Sequence, residues 1–534
     1  MERRSFLAAL SGALLSAKTP LALSDDVTSS PFTLGVASGD PTDHGFVLWT
    51  RLAPDPFNGG GMPSRPVLVE YEIATDRAMG NVVQTGQVLA QTDHAHSVHL
   101  TVEDLRSNTH YWYRFSAGSF STEPARARTL PSRSDDVETM RLGHLSCQNY
   151  VAGQFMALDD MVRFDLDLVV HLGDYIYETH LRDRERSSII GYDEPITLDE
   201  YRNTYAMYKS DERLQKAHAH CPWLMTWDDH ELENGYAGDT PSALDVSTAT
   251  PEEFRKRKAD AYKAWWEHTP TALPAPENED LVVHRSFALG DLADIYLLDT
   301  RQYRTPNPCE YDTFFGPRCE ASFTSETTML GGDQERWLDA QLQASSSPWQ
   351  IIGSPNVVQQ WRFGPTTCNW VAANPEVAAA AGLDASNCDT VQLDLFLHEA
   401  WDGYPAARAR MLSSGASAPG TCVYLSGGIH SGWVSTLKAD FEDDSSAVVG
   451  VEFVGPATTS NPQVDQFSDN IIANNEHVKW SAERGIGWTY HVLSASRLVT
   501  IFRTTTFPAT EQSQLERASG WVTSAGNPTP RRWN

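Results

Sequence analysis

Basic residues are scarce in this chain. It carries 41 Lys and Arg against 70 Asp and Glu over 534 residues, a formal net charge of −29. Such a surface repels nucleic acid and anionic membrane, so no nucleic-acid partner is expected. Long apolar runs are missing as well. Beyond the N-terminal segment no stretch reaches the ~18 apolar residues of a bilayer span, so no transmembrane segment is expected. Internal repeats and low-complexity tracts are absent, apart from a short alanine patch at Ala378–Ala381. Hydrophobic residues at 41% and aromatics at 10% argue against a disordered or fibrous chain.

Cysteines number only seven, an odd count that leaves one unpaired if the others bridge. Cys309 with Cys319 and Cys368 with Cys388 are close enough in sequence to staple local loops. Cys221 and Cys422 each open an apolar run, which makes pairing across neighbouring strands conceivable. By position, Cys147 is the one left over.

The acidity either keeps an exported protein soluble or supplies carboxylates to hard cations, and the two are compatible. An anionic substrate would then be held by bound metal ions. The N-terminus reads as a targeting segment. Arg3 and Arg4 precede Ser5-Phe6-Leu7 and an apolar stretch through Ala17, a pattern that looks like a twin-arginine signal. Residues 1–30 are therefore expected to be this signal and a short leader, read by the twin-arginine export machinery. The protein is expected outside the cytoplasm, periplasmic or extracellular.

The length allows two to four domains at ~100–200 residues each. Residues 31–131 read as an all-β sandwich of fibronectin type III character, with strands at 45–50, 67–73, 98–102 and 111–115. From 136 to 505 the pattern becomes α/β: apolar runs alternate with helical stretches such as Pro251–Trp266 and Gly332–Gln343. The polar segment 506–534 reads as a tail or a lid.

The apolar runs of the second domain end in residues with useful chemistry, and in open α/β sheets ligands gather beyond the carboxyl ends of strands. Leu142–Leu145 leads to Cys147, Leu168–Leu172 to Asp174 and Tyr177, Trp223–Thr226 to Asp228-Asp229-His230, Asp294–Leu298 to Arg301, and Val423–Leu425 to His430. Singly, each has a duller reading: a core thiol, a core tyrosine, a solvated acidic turn, a hydrogen-bonded histidine, an ion-paired arginine. Together, Cys147, Asp174, Tyr177, Asp228, Asp229 and His430 form a donor set able to hold two unlike metals, a soft or trivalent one at Cys147 and Tyr177 and a harder one beside the aspartates. Asp174 suits the shared position. Two such metals ~3.5–4 Å apart clamp a phosphoryl group and turn water into hydroxide near neutral pH. His230 is the expected proton donor to the leaving oxygen, and Arg301 the expected bidentate grip on phosphate. His144 and His171 are expected to support the ligands from behind.

At these residues the chain resembles the PhoD-like alkaline phosphatases and phosphodiesterases. The resemblance rests on Phe32-Thr-Leu-Gly-Val-Ala-Ser-Gly-Asp40, Val47-Leu-Trp-Thr-Arg51, Leu145-Ser-Cys-Gln148, His171-Leu-Gly-Asp-Tyr-Ile-Tyr-Glu178 and Thr226-Trp-Asp-Asp-His-Glu231. It continues through Leu298-Asp-Thr-Arg-Gln-Tyr-Arg304, Asp402-Gly-Tyr-Pro405, Val451-Glu-Phe-Val454 and Thr459-Ser-Asn-Pro462. It implies a fibronectin-like domain before a four-layer, calcineurin-like metallophosphoesterase domain that hydrolyses phosphomonoesters and phosphodiesters. It also implies an Fe³⁺–Ca²⁺ centre in preference to Mn²⁺ or Zn²⁺, with Cys147 and Tyr177 on iron, Asp174 shared, and Asp228, Asp229 and His430 around calcium. Members with phospholipase D-like activity make phospholipid an alternative substrate. One departure stands out: the family usually has Gly-Asp-x-His where this chain has Gly427-Gly428-Ile429-His430. The lost carboxylate raises the alternative of an inactive binding protein on the same scaffold.

Overall fold

The computed structural model describes residues 28–179, 186, 189–242, 250–309, 315–362, 395–397, 399–443, 445–462, 468–482 and 484–533. The expected signal segment, apart from its last residues, lies outside this set, as do Cys368, Cys388 and the alanine patch.

Eight strands come first: β1 (Val36–Gly39), β2 (Phe46–Arg51), β3 (Val67–Ala74), β4 (Val82–Ala90), β5 (Ser97–Val102), β6 (His110–Ala117), β7 (Phe120–Ser121) and β8 (Ala125–Arg128). The order β1-β2-β5 forms one layer, and β4-β3-β6-β7, with β8 beside β6, forms the other. In β6 buried and half-buried positions alternate along the strand, which sends Tyr111, Tyr113 and Phe115 into a shared core with Phe46, Leu48 and Val69. The sandwich is not a separate bead: β1 pairs in parallel with a strand of the second domain at Gly39–Trp223. A Cβ at Gly39 would lie 2.1 Å from the Pro270 carbonyl, so only glycine permits this approach.

Next come β9 (Met140–Leu145), β10 (Leu168–Leu172), β11 (Trp223–Thr226), β12 (Arg285–Leu289), β13 (Ala293–Leu297), β14 (Phe315–Pro317), β15 (Trp349–Ser354) and β16 (Leu395–Leu397). After these come β17 (Thr421–Ser426), β18 (Trp433–Lys438), β19 (Val448–Val454), β20 (Val478–Ser481), β21 (Gly485–Leu493), β22 (Arg497–Thr506), β23 (Glu516–Ser524) and β24 (Asn527–Arg532). One sheet runs β24-β23-β22-β21-β9-β10-β11 and continues into the sandwich; a second runs β12-β13-β15-β17-β19-β18-β20. They face each other through Leu142, Val170 and Leu224 on one side and Ile295, Ile351 and Val423 on the other. The helices Met156–Met161, Leu198–Lys209, Glu212–His218 and Pro251–His268 cover the outer face of the first sheet. Gly331–Ala344 and Pro405–Ala416 cover the second. The result is the four-layer α/β/β/α arrangement. Strands buried on both faces explain the near-continuous apolar runs of β10, β11 and β17. Local signals agree: Thr197 and Glu200 form a capping box on one helix, and Thr250 caps another whose first residue is Pro251.

Two expectations need correction. Residues 516–532 are neither tail nor lid; they are β23 and β24, paired onto β22, with Trp521 buried against the inter-sheet core. Cys221 and Cys422 are both free and buried, because Cys221 precedes β11 in the first sheet and Cys422 lies on β17 in the second. Cys309 and Cys319 do form a disulfide, with Cα atoms 5.6 Å apart, and Cys147 is free.

Candidate metal centre

The parallel strands β9, β10 and β11 of one sheet and β17 of the other end at the same edge of the domain. The turns that follow them carry Cys147, Asp174, Asp229 and His430. Three of these residues, Cys147, Asp174 and His430, have φ of 54°, 55° and 62°. The left-handed region is costly for a non-glycine residue, and such strain collects at functional sites. The turns are knitted together: the Cys147 amide donates to the Gly173 carbonyl, and the Gln148 amide to that of Asp174, at 3.2 and 3.0 Å.

Ligand atoms fall into two groups that share Asp174: Cys147, Asp174 and His430, and Asp174, Asp229 and His230, each with its ligand atoms within 4.8 Å of one another. Tyr177 Oη lies 3.0 Å from both Asp174 Oδ2 and His430 Nε2. Ser460 Oγ holds that phenol at 2.8 Å and the Cys147 carbonyl at 2.9 Å. Asp174 Oδ1 is buried with no hydrogen-bond partner. His430 Nδ1 is 2.9 Å from the Asn461 carbonyl. That bond places the proton on Nδ1 and leaves Nε2 as a lone-pair donor toward Tyr177 and Asp174. Burial, partly opposed by the Asn461 carbonyl, lowers the His430 pKa to about 4 and keeps the ring neutral.

The electrostatics have one direction. Burial, then Asp174, push the Cys147 thiol well up. Burial, then Asp174 and Cys147, do the same to Tyr177. Burial raises Asp174 well above the usual carboxylate range; His230 opposes this, while Asp229, Asp228 and Glu231 add to it. Anionic donors aimed at one space resist ionisation unless a cation shares it, and a bound cation inverts that balance. The orphaned oxygen, the histidine tautomer and this mutual repulsion make the donor set fit metal ions.

The two aspartates divide. Burial resists ionisation of Asp229, but Arg301, His230 and the Gly235 amide outweigh it and hold the carboxyl below its usual range. Asp228 instead turns to Arg301 Nε at 2.5 Å and to Asn356 Nδ2 at 3.1 Å. In place of the phosphate grip expected for it, Arg301 is 2% exposed and engaged by Asp228, Asp229 and Glu399. His230 Nδ1 meets Glu178 Oε2 at 2.6 Å, and its ring stacks on Tyr177 at 4.1 Å between centroids. Burial works against its protonation, yet Glu178, Asp174 and Asp229 raise its pKa well above the ordinary value. A Cβ at Gly428 (φ 79°) would lie 3.0 Å from the Pro355 carbonyl and 3.3 Å from Asp228 Oδ2 and Asn356 Nδ2, so the carboxylate of Asp228 already borders that position.

His144 and His171 do not support the ligands. Neither ring nitrogen of either residue has a hydrogen-bond partner; His144 stacks near His491, and His171 lies between Tyr175 and Trp223. The contacts that Glu178, Glu231, Asn356 and Ser460 make around the candidate ligands went unread in the sequence. Glu178, Glu231 and Ser460 stand inside the quoted strings, and Asn356 at the end of an apolar run, but nothing in one sequence shows what their polar atoms face.

A family model described as PhoD-like phosphatase matches residues 142–498, and one described as the PhoD-like phosphatase N-terminal domain matches residues 16–131. Alkaline phosphatase D of Bacillus subtilis (strain 168) is 38% identical over 462 residues, 85% of this chain and 74% of that protein. A solved structure of PhoD matches with a TM-score of 0.85 at 34% identity, covering 95% of this chain and 93% of the other.

Proposed function

The chain belongs to the PhoD-like phosphatase family, and from that premise we propose that it is an exported, metal-dependent phosphoesterase acting on phosphomonoesters and phosphodiesters. The observation that carries this reading is Asp174, which stands in both ligand groups and keeps one buried oxygen without a partner. Phosphatase activity fits the likeness to alkaline phosphatase D.

Cys147, Tyr177, Asp174 and His430 would hold the softer or trivalent ion, with Fe³⁺ suited to the thiolate and phenolate; His430, expected around calcium, joins this side because its ligand atom groups with those of Cys147 and Asp174. Asp174 and Asp229 would hold a harder ion such as Ca²⁺, while Asp228, also expected there, is taken up by Arg301 and Asn356. A metal pair there supplies Lewis-acid polarisation of phosphate and an activated water. The chain's own residues do the rest. Glu178 fixes the His230 ring through Nδ1 and stabilises its positive charge, so Nε2 carries a proton to the departing alcohol oxygen. Tyr177, stacked on that ring, holds its plane. Arg301 positions Asp228 and Asp229 and offsets part of their charge without reaching substrate. The buried position of the donors beneath their turns keeps bulk water from competing for the anionic group.

Export through the twin-arginine route rests on Arg3-Arg4 and the apolar run after them. No helix among the described residues is long and apolar enough to cross a membrane. The test is to measure metal content per chain by mass spectrometry and, on the same preparation, release of alcohol from an aryl monoester, a bis-aryl diester and phosphatidylcholine. Turnover of monoester and diester with metal bound is expected; metal-loaded protein that hydrolyses none of the three refutes the reading.

A further inference from the structure

The ladder between β10 and β11 ends at Leu172–Thr226, yet the turns beyond it carry Asp174 and Asp229 and must stay in register. They are pressed together. A Cβ at Gly173 would lie 2.2 Å from the Asp228 amide nitrogen, so the two backbones touch with no side chain between them. Glu231 bridges the same place. Its carboxylate, 1% exposed, accepts the Tyr175 amide at 2.7 Å on Oε1 and the Asp174 and Asp228 amides at 3.0 Å on Oε2. Two of these amides belong to the turn after β10 and one to the turn after β11.

We infer that Glu231 is a positioning residue, a side-chain clasp that continues the β10–β11 ladder and sets the separation of Asp174 from Asp229. Its kinetic consequence rests on the phosphoesterase reading; its structural role does not. A carboxylate is the chemistry the place requires. Three convergent N–H groups need two acceptor oxygens with several lone pairs, which a carboxyl group supplies on one short stem. Glutamine would offer a single oxygen and turn its own N–H₂ against at least one backbone donor, leaving a buried amide unsatisfied. The clasp also acts where the backbone is strained, because Asp174 at φ 55° has its own amide among the three held. Released, that residue would relax out of the left-handed region and carry its carboxylate away from the centre. Misplacing a reacting geometry by about 1 Å costs on the order of 100-fold in rate.

The test compares full-length wild type with Glu231→Gln, and with Glu231→Asp, which keeps both acceptor oxygens on a shorter stem and stands in if the first variant does not fold. Hydrogen–deuterium exchange is read on metal-stripped protein. The segments containing Asp174, Tyr175 and Asp228 should exchange about tenfold faster or more in the variant, with β17 unchanged. On metal-loaded protein, kcat for an aryl phosphate should fall about 100-fold, with KM within about threefold. Unchanged exchange in those segments overturns the inference, and so does faster exchange spread evenly over the molecule, which is what a merely structural residue gives. Wild type without turnover ends the phosphoesterase reading, while the exchange comparison still decides the role of Glu231.

Discussion

Glu178 Oε2 lies 2.6 Å from His230 Nδ1, and the opposite oxygen of the same carboxylate accepts the Asn234 amide at 2.8 Å. The acid is thus fixed at both ends, and the imidazolium it stabilises is fixed with it. General-acid help matters most when the leaving alcohol is a poor one. Glu178→Gln should therefore lower kcat on an alkyl phosphate by roughly 100-fold or more, while an aryl phosphate with an acidic leaving group loses far less. Steady-state kinetics on the two substrate types measure this. Equal losses on both would show that the pair does not deliver a proton to the leaving group.

The two neighbouring aspartates should fail differently. Asp229 stands with Asp174 and His230, whereas Asp228 is bonded to Arg301 and Asn356. Asp229→Asn should lower the metal bound per chain and, with it, activity. Asp228→Asn should keep its metal but lose about 2 kcal/mol of stability, because a charge-assisted bond to the buried Arg301 is weakened. Metal analysis and thermal melts of both variants separate the roles. Metal loss in Asp228→Asn with retention in Asp229→Asn would exchange the assignments.

Much of this centre was legible because buried parallel strands write themselves as apolar runs. The runs at 168–172 and 223–226 coincide with β10 and β11, and the residues after them are the ones the turns bring together. What could not be read was direction. Arg301 stands at a strand end as expected, but only coordinates show its donors turned to carboxylates rather than to open space. His144 and His171 sit beside the ligands in sequence, yet strand alternation points them into apolar packing. β4 escaped notice because it is a largely exposed edge strand with a polar, glycine-containing sequence. β23 and β24 escaped because, apart from Pro530, burial is confined to Trp521 and the residues near it in an otherwise polar, proline-containing segment. The resemblance to the PhoD-like family came from the short strings, which the compositional reading of the sandwich could not have supplied.

The histidines that missed the site should set the acid limit of the fold. Burial lowers the pKa of His171 to about 3, against 6.5 for an ordinary histidine. The unfolded chain therefore binds more protons between these values. This contribution to stability is complete above pH 6.5 and is lost as pH falls toward 3, up to about 5 kcal/mol at ~1.4 kcal/mol per unit. His171→Phe fills a space flanked by the rings of Tyr175 and Trp223 with another ring. Its midpoint of acid unfolding, followed by circular dichroism at constant ionic strength, should move to lower pH than that of wild type. An unchanged midpoint would mean that the ring is already charged, or solvated, in the native state.

Above neutral pH the group to follow is Lys209, the last residue of the helix Leu198–Lys209, packed on Trp49 of β2 at the seam between the sandwich and the α/β domain. Its Nζ is buried with no hydrogen-bond partner, 4.2 Å from the centre of the Trp49 ring and 5.2 Å from that of Tyr175. Burial alone lowers its pKa from 10.5 to about 7; the titratable groups it acts on most directly, His218 and His268, are held neutral themselves. The sign follows from a folded pKa below the unfolded one: between pH 7 and 10.5 the unfolded state binds the extra proton, so stability climbs with pH through that window and is fully present above it. The span is worth at most about 5 kcal/mol, reduced by the attraction of a protonated amine to the Trp49 face. Lys209→Met removes the titration and keeps the stem. Its Tm, measured with metal loading held fixed, should exceed that of wild type at pH 7, and the difference should close as pH approaches 10.5. A gap that stays constant across the range would show that the amine keeps its proton in the folded protein, which would require an anionic partner at the seam.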